Sequence, residues 1–171
     1  SMIRMSSVVS FAAVVAAAPL TAQTTPYAGC DPKPIPYFAA SPDDDLLTSR
    51  AKAIHARTFT IDTHVDIGAG SFRLGQANYC NRSGSQVDLI KMEEGGLGGA
   101  FFSIYVGHGL LDSAGFARSY SVDTTLFQAV HRFAEQIAPD RVAIAYSVAD
   151  AKRIYASGKK VAFMGVENGE G

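Results

Sequence analysis

Thr58-Phe59-Thr60-Ile61-Asp62-Thr63-His64-Val65-Asp66-Ile67, closed by Gly68-Ala69-Gly70, is the stretch that decides the fold class. It is dense in β-branched residues and ends at glycines, so it predicts a strand followed by a loop. Downstream, Val87, Ile90, Lys91 and Glu94 fall at helical spacing, and Gly95-Gly96 stops that helix before a second apolar run from Gly99 to Val106. Strand, helix, strand is a βαβ unit. A longer helix is expected from about Ser121-Val122-Asp123-Thr124, with Val122, Leu126, Val130, Phe133 and Ile137 along one side and Pro139 beyond its end. A short strand at Val142 to Tyr146 follows. Ser147-Val148-Ala149-Asp150 then opens a helix that should stop at Ser157-Gly158, and Lys160 to Glu167 reads as another strand. Strands alternating with helices predict parallel pairing and right-handed crossovers, hence an α/β sheet or barrel.

Upstream of the first strand, Ser41-Pro42-Asp43-Asp44 predicts the start of a helix that runs to about Arg57. Ser41 would cap it, Pro42 would take its first position, and Asp43 to Asp45 would face its positive end. Leu46, Leu47, Ala51 and Ile54 would form its apolar stripe. The acids lack the alternating spacing of a calcium loop, so capping is the preferred reading.

The 171 residues are 47% hydrophobic and 18% charged, enough apolar material for one ordinary domain and incompatible with intrinsic disorder. Fifteen Lys and Arg against sixteen Asp and Glu leave a formal charge of −1, which supplies no cationic field for a nucleic-acid backbone. Nucleic acid is therefore not an expected partner.

Arg4 precedes an apolar stretch from Val8 to Ala18, and small residues follow near Thr21-Ala22. This is a signal-peptide pattern too short to span a bilayer, so residues 1–22 are expected to direct export to a periplasmic or extracellular compartment. Residues 23–40, with Pro26, Pro32, Pro34 and Pro36, read as an extended leader, and 41–171 as the body of the domain. The two cysteines, Cys30 and Cys80, could pair in an oxidising compartment and pin the leader down. A rival use of Cys30 is lipid attachment and membrane anchoring, since Tyr27-Ala28-Gly29-Cys30 loosely follows a lipoprotein cleavage box.

His64 and Asp66 are two apart on one strand and so share a face, at the C-terminal end where parallel α/β folds place ligands. An imidazole and a carboxylate there can hold a divalent transition metal, or can simply hydrogen-bond and tie down the strand end. Glu167 ends another apolar strand, where an inward carboxylate is costly unless a cation compensates it; its alternative is a solvated loop residue, as Glu170 is expected to be. His55 and His131 occupy no comparable position, His131 flanking the apolar side of its helix; His108, in Gly107-His108-Gly109 after a strand, could approach the site but reads as a rim-loop histidine.

Three blocks in order carry a family resemblance: Ile61-Asp62-Thr63-His64-Val65-Asp66; the segment from Val87-Asp88-Leu89-Ile90-Lys91-Met92-Glu93-Glu94-Gly95-Gly96 through Phe101-Phe102-Ser103-Ile104-Tyr105-Val106; and Gly165-Val166-Glu167-Asn168-Gly169. Together they resemble the membrane (renal-type) dipeptidases over about Ala51 to Gly171. The resemblance implies a (β/α)8 TIM barrel of the amidohydrolase type and hydrolysis of dipeptides, often with a D-residue at the C-terminal position. It implies two zinc ions, the first bound by His64 and Asp66 and both bridged by Glu167, which is thereby the catalytic candidate. A hydroxide shared between the ions would attack the peptide carbonyl.

The family's histidine ligands to the second zinc and its further substrate-binding residues lie downstream of the bridging glutamate, beyond Gly171. With about 250 residues typical of a complete barrel, the chain is expected to be the N-terminal portion of a longer enzyme, preceded by its signal peptide and inactive alone. Dipeptides are the expected partner and a homodimer the candidate assembly. The rival readings are another two-metal hydrolase of the same type, or a secreted binding module in which His64, Asp66 and Glu167 form a polar network without metal.

Overall fold

The computed structural model describes residues 29–169. The expected signal peptide, the first part of the leader and Glu170 lie outside the described residues. The elements run α1 (Leu46–Arg57), β1 (Thr60–Asp66), α2 (Leu89–Gly95), β2 (Leu97–Tyr105), α3 (Ser113–Arg132, continued by a π-turn over Phe133–Ile137), β3 (Val142–Ile144), α4 (Val148–Ala156) and β4 (Lys160–Glu167). No helix among the described residues is long and apolar enough to cross a membrane.

All four strands are parallel, in the order β1-β2-β4-β3. The chain passes over the place of β4 to make β3, then turns back. A right-handed return requires its connecting helix on the opposite side from the outward one. Accordingly α3 and α4 cover different faces. Phe102, Ile104, Ala162 and Val65 pack with Leu89, Met92, Leu126, Val130 and Phe133 on the α3 face. Val161 packs with Ala151 and Ile154 of α4 on the other. Because β3 pairs only from Val142 with Lys160 to Ile144 with Ala162, α4 and β3 both serve the lower half of β4. The C-terminal rim is left to β1, β2 and β4.

The parallel α/β architecture expected from the alternation is what the structure has, and its strands fit part of a TIM barrel. Three details differ. First, α1 begins at Leu46 and its N-cap is Asp45, whose side chain accepts from the Thr48 N–H at 2.7 Å. Ser41 instead caps a preceding turn, receiving the Asp43 N–H at 3.3 Å, and Asp44 is held by Lys52 at 2.7 Å. Second, the expected apolar stripe of α1 is not buried: Leu46 is 87% and Leu47 76% exposed, and the helix is attached instead through His55, which bonds the Gly95 carbonyl and meets the edge of Phe38. Third, α3 starts eight residues before Ser121, capped by Asp112 on the Gly115 N–H at 2.8 Å; the capping-like Ser121-Val122-Asp123-Thr124 lies within it.

A disulfide joins Cys30 to Cys80, so the Cys30 sulfur carries no free thiol for a lipid. The leader is held alongside by Asp31, whose carboxylate accepts from Asn81 and from the Arg82 N–H, and whose carbonyl accepts from Arg141 at 2.7 Å. Those hydrogen bonds, led by the one from Arg82, keep the Asp31 carboxyl below its usual range.

Candidate metal centre

Two irregularities in the β1–β2 ladder set which side chains reach the rim. Thr60 pairs with Leu97 and Asp66 with Ser103, but between them the register slips one way and back, so that Ile61 pairs with Gly99 and Asp62 with Ala100. Residues 62, 64 and 66 would share a face in an even strand. The double slip sends Asp62 to the α3 face, while Asp66 stays opposite Ser103 on the other. Bulges commonly re-aim side chains in this way beside functional sites. Asp62 still contributes: its carboxylate accepts the His64 N–H at 2.9 Å and so fixes the backbone of the histidine.

The His64 Nε2 atom lies 3.2 Å from Asp66 Oδ1 and 3.3 Å from Glu167 Oε2. One donor atom from each of these three residues falls within 4.8 Å of the others, on the rim above α4. The structure thus brings together all three residues singled out in the sequence. The imidazole is about half exposed (55%), and the centre opens into a depression of about 370 Å³ lined by Phe101, Ser103 and Gly165 among others. His64 stands within reach of both Asp66 and Glu167, so Glu167 is not a free loop residue.

Glu167 is positioned from β2. Ser103 donates to Glu167 Oε2 at 2.9 Å and is itself buried. Beyond the strand end, Asn168 takes a left-handed conformation (φ 63°) and its amide donates to the Val106 carbonyl at 2.9 Å, stapling the turn after β4 to the end of β2. Ser103 was not singled out in the sequence, although a lone serine inside the apolar run Ala100 to Val106 is the signal that marks it. Of the other histidines, His55 lies at the opposite end of the sheet, His131 pairs with Glu135 on α3 at 2.7 Å, and His108 follows the end of β2.

One imidazole and two carboxylates converging on a rim suit a transition-metal ion by donor chemistry. Residues 48–171 match the model of the membrane dipeptidases, peptidase family M19. The chain belongs to this family. Among solved structures, the membrane dipeptidase-family chain is similar to the crystal structure described as the probable dipeptidase PvdM from Pseudomonas aeruginosa, with 21% identity and a TM-score of 0.63. The match covers 71% of this chain and 31% of that one, so the chain spans about a third of the length of that neighbour. At this identity the likeness bears on the fold. No curated protein matches the chain.

Proposed function

We propose that the complete polypeptide is an exported zinc dipeptidase and that His64, Asp66 and Glu167 are its metal ligands. The observation that carries this reading is the convergence of the three donors within 4.8 Å at the C-terminal rim of the sheet, in a chain of the membrane dipeptidase family. Neutral His64 would offer Nε2, with its backbone steadied by Asp62. Asp66 and Glu167 would balance the charge of the cations, and Glu167, with two oxygens and one of them held by Ser103, is the residue suited to bridge two ions. When bound, the metal pair supplies an acidified water and polarises the scissile carbonyl. The open depression beside Phe101 and Gly165 leaves room for a small peptide next to the ligands. The disulfide supports export, because such bonds persist in oxidising compartments.

The test is zinc content and dipeptide hydrolysis of the polypeptide extended to the length of its relatives, with and without a chelator. Zinc uptake together with chelator-sensitive cleavage is expected. An enzyme that takes up no metal, or that cleaves dipeptides equally well after chelation, overturns the proposal.

A further inference from the structure

The end of the sheet remote from the rim carries a second cavity, of about 420 Å³, walled by the leader, the last turn of α1, the end of α4 and the first residue of β4. Lys33, His55, Arg57, Glu93, Tyr155 and Lys160 line it. Glu93, the carboxylate in this lining, is spent: it is buried and takes Arg141 in a two-pronged pair, Nε at 3.0 Å and Nη2 at 2.5 Å. The side chains of Lys33, Arg57 and Lys160 make no hydrogen bond or close ion pair with any described residue. In a chain of net charge −1, three cationic side chains around one recess, with Glu93 shared between Arg141 and the field at Lys160, are a local excess of positive charge.

The remaining polar groups sharpen the chemistry. The Tyr155 hydroxyl donates to the Thr58 carbonyl at 3.0 Å, and His55 is engaged through Nε2 with the Gly95 carbonyl at 2.8 Å. Nε2 must carry the proton in that bond, because a carbonyl only accepts. The charged groups left to face a ligand are two ammonium heads and one guanidinium, all donors. Burial pushes the Lys160 ammonium below its ordinary range, with the Glu93 carboxylate opposing that shift and the charge of Lys33 adding to it, so an anion in the recess would favour the charged lysine.

We propose that this recess binds a phosphate group, either as inorganic phosphate or as the head of a small phosphomonoester. A doubly charged tetrahedral oxyanion offers at least three acceptor oxygens and matches both the charge and the donor set, with Arg57 able to take two oxygens and the lysines acting as point charges. A monocarboxylate would leave most of the excess charge unanswered. The site is separate from the candidate metal centre: Lys160 and Glu167 are the two ends of β4, about 23 Å apart at strand rise. The walls are held in place, since the disulfide and the bond from Arg141 to the Asp31 carbonyl anchor the segment that carries Lys33.

The experiment is titration of the metal-free protein, at constant ionic strength set with chloride, with inorganic phosphate in one arm and phenyl phosphate in the other, read by calorimetry and by ³¹P line broadening. Removing metal with chelator keeps the rim from contributing. Saturable one-site binding is expected in at least one arm, and the tighter arm identifies the source of the phosphate group. Lys160→Met, which keeps the aliphatic stem, and Arg57→Gln, at an exposed position, should each weaken it at least tenfold. Absence of saturation in both arms, or binding of unchanged affinity in folded Arg57→Gln protein, overturns the proposal.

Discussion

Ser103 Oγ stands 2.9 Å from Glu167 Oε2, reaching across the β2–β4 ladder from a side chain that is 4% exposed. Its direct strand partner is Gly165, two residues before the glutamate, so the hydroxyl leans along the strand toward the rim and has no side chain opposite to obstruct it. Groups that orient a ligand without touching the ion typically change metal affinity ten- to a hundredfold when removed. Ser103→Ala should therefore weaken zinc binding by about one order of magnitude, with little change in secondary structure, and Ser103→Thr should restore most of it. Calorimetric titration of zinc into the three proteins checks this.

Glu167→Gln keeps the shape of the side chain and an oxygen to accept from Ser103, but removes its charge. If the rim holds cations, this variant and His64→Ala should each lose bound zinc while unfolding at nearly the temperature of the parent. Metal analysis of the dialysed proteins decides it: retention of the parental zinc content by both would exclude these residues as ligands.

Asp88 is the N-cap of α2 and is fully buried. Its carboxylate accepts from the Lys91 N–H, the Ser83 N–H and the Ser83 hydroxyl, with the Lys91 ammonium 3.1 Å away. Burial alone would raise its pKa, yet these donors outweigh it and hold the carboxyl below its ordinary range. A depressed carboxyl contributes stability that is complete above the unfolded value, near 4, and is lost as pH falls through the lower folded value. Asp88→Asn should cost about 1–3 kcal/mol at pH 7, and the difference from the parent should shrink as the pH drops below 4. Urea unfolding between pH 3 and 7 measures both.

The Cys30–Cys80 bridge spans 50 residues of sequence. On a chain-entropy estimate, a loop of that size contributes roughly 4 kcal/mol, and distortion or residual structure usually reduces it. Paired Cys30→Ala/Cys80→Ala replacement should lower stability by about 2–4 kcal/mol and release residues 29–40 first. Hydrogen exchange of the Tyr37 amide, bonded to the Glu94 carbonyl at 2.9 Å, reports on that release.

The sequence made several parts of the fold readable because local chemistry and tertiary context agree there. The Ser147 cap, the Gly95-Gly96 stop and the strand from Lys160 to Glu167 are where the pattern puts them, as is the apolar side of α3. The start of α1 was misread because three acids and a serine compete for one cap and Asp45 wins. The early turns of α3 were hidden by Gly115, a poor helix former, and by serines that suit caps as well as exposed helix positions. The strand order and the opposite placement of α3 and α4 are decided by non-local pairing, which no periodicity encodes. Within the site, His64, Asp66 and Glu167 were legible as acids and a base at strand ends. Ser103 was overlooked, and the diversion of Asp62 was invisible because the slips that cause it are set by contacts between strands.

That diversion bears on ion selectivity. Had β1 run evenly, Asp62 would have joined the rim, and three carboxylates around one imidazole would make an oxygen-rich cradle of the kind hard cations such as calcium prefer. With the acid turned away, the nitrogen share of the donor set rises, which would favour a borderline metal over an alkaline-earth ion at the proposed centre. If the rim holds the ions proposed for it, a backbone irregularity, and not the composition of the strand, would set which of them compete best.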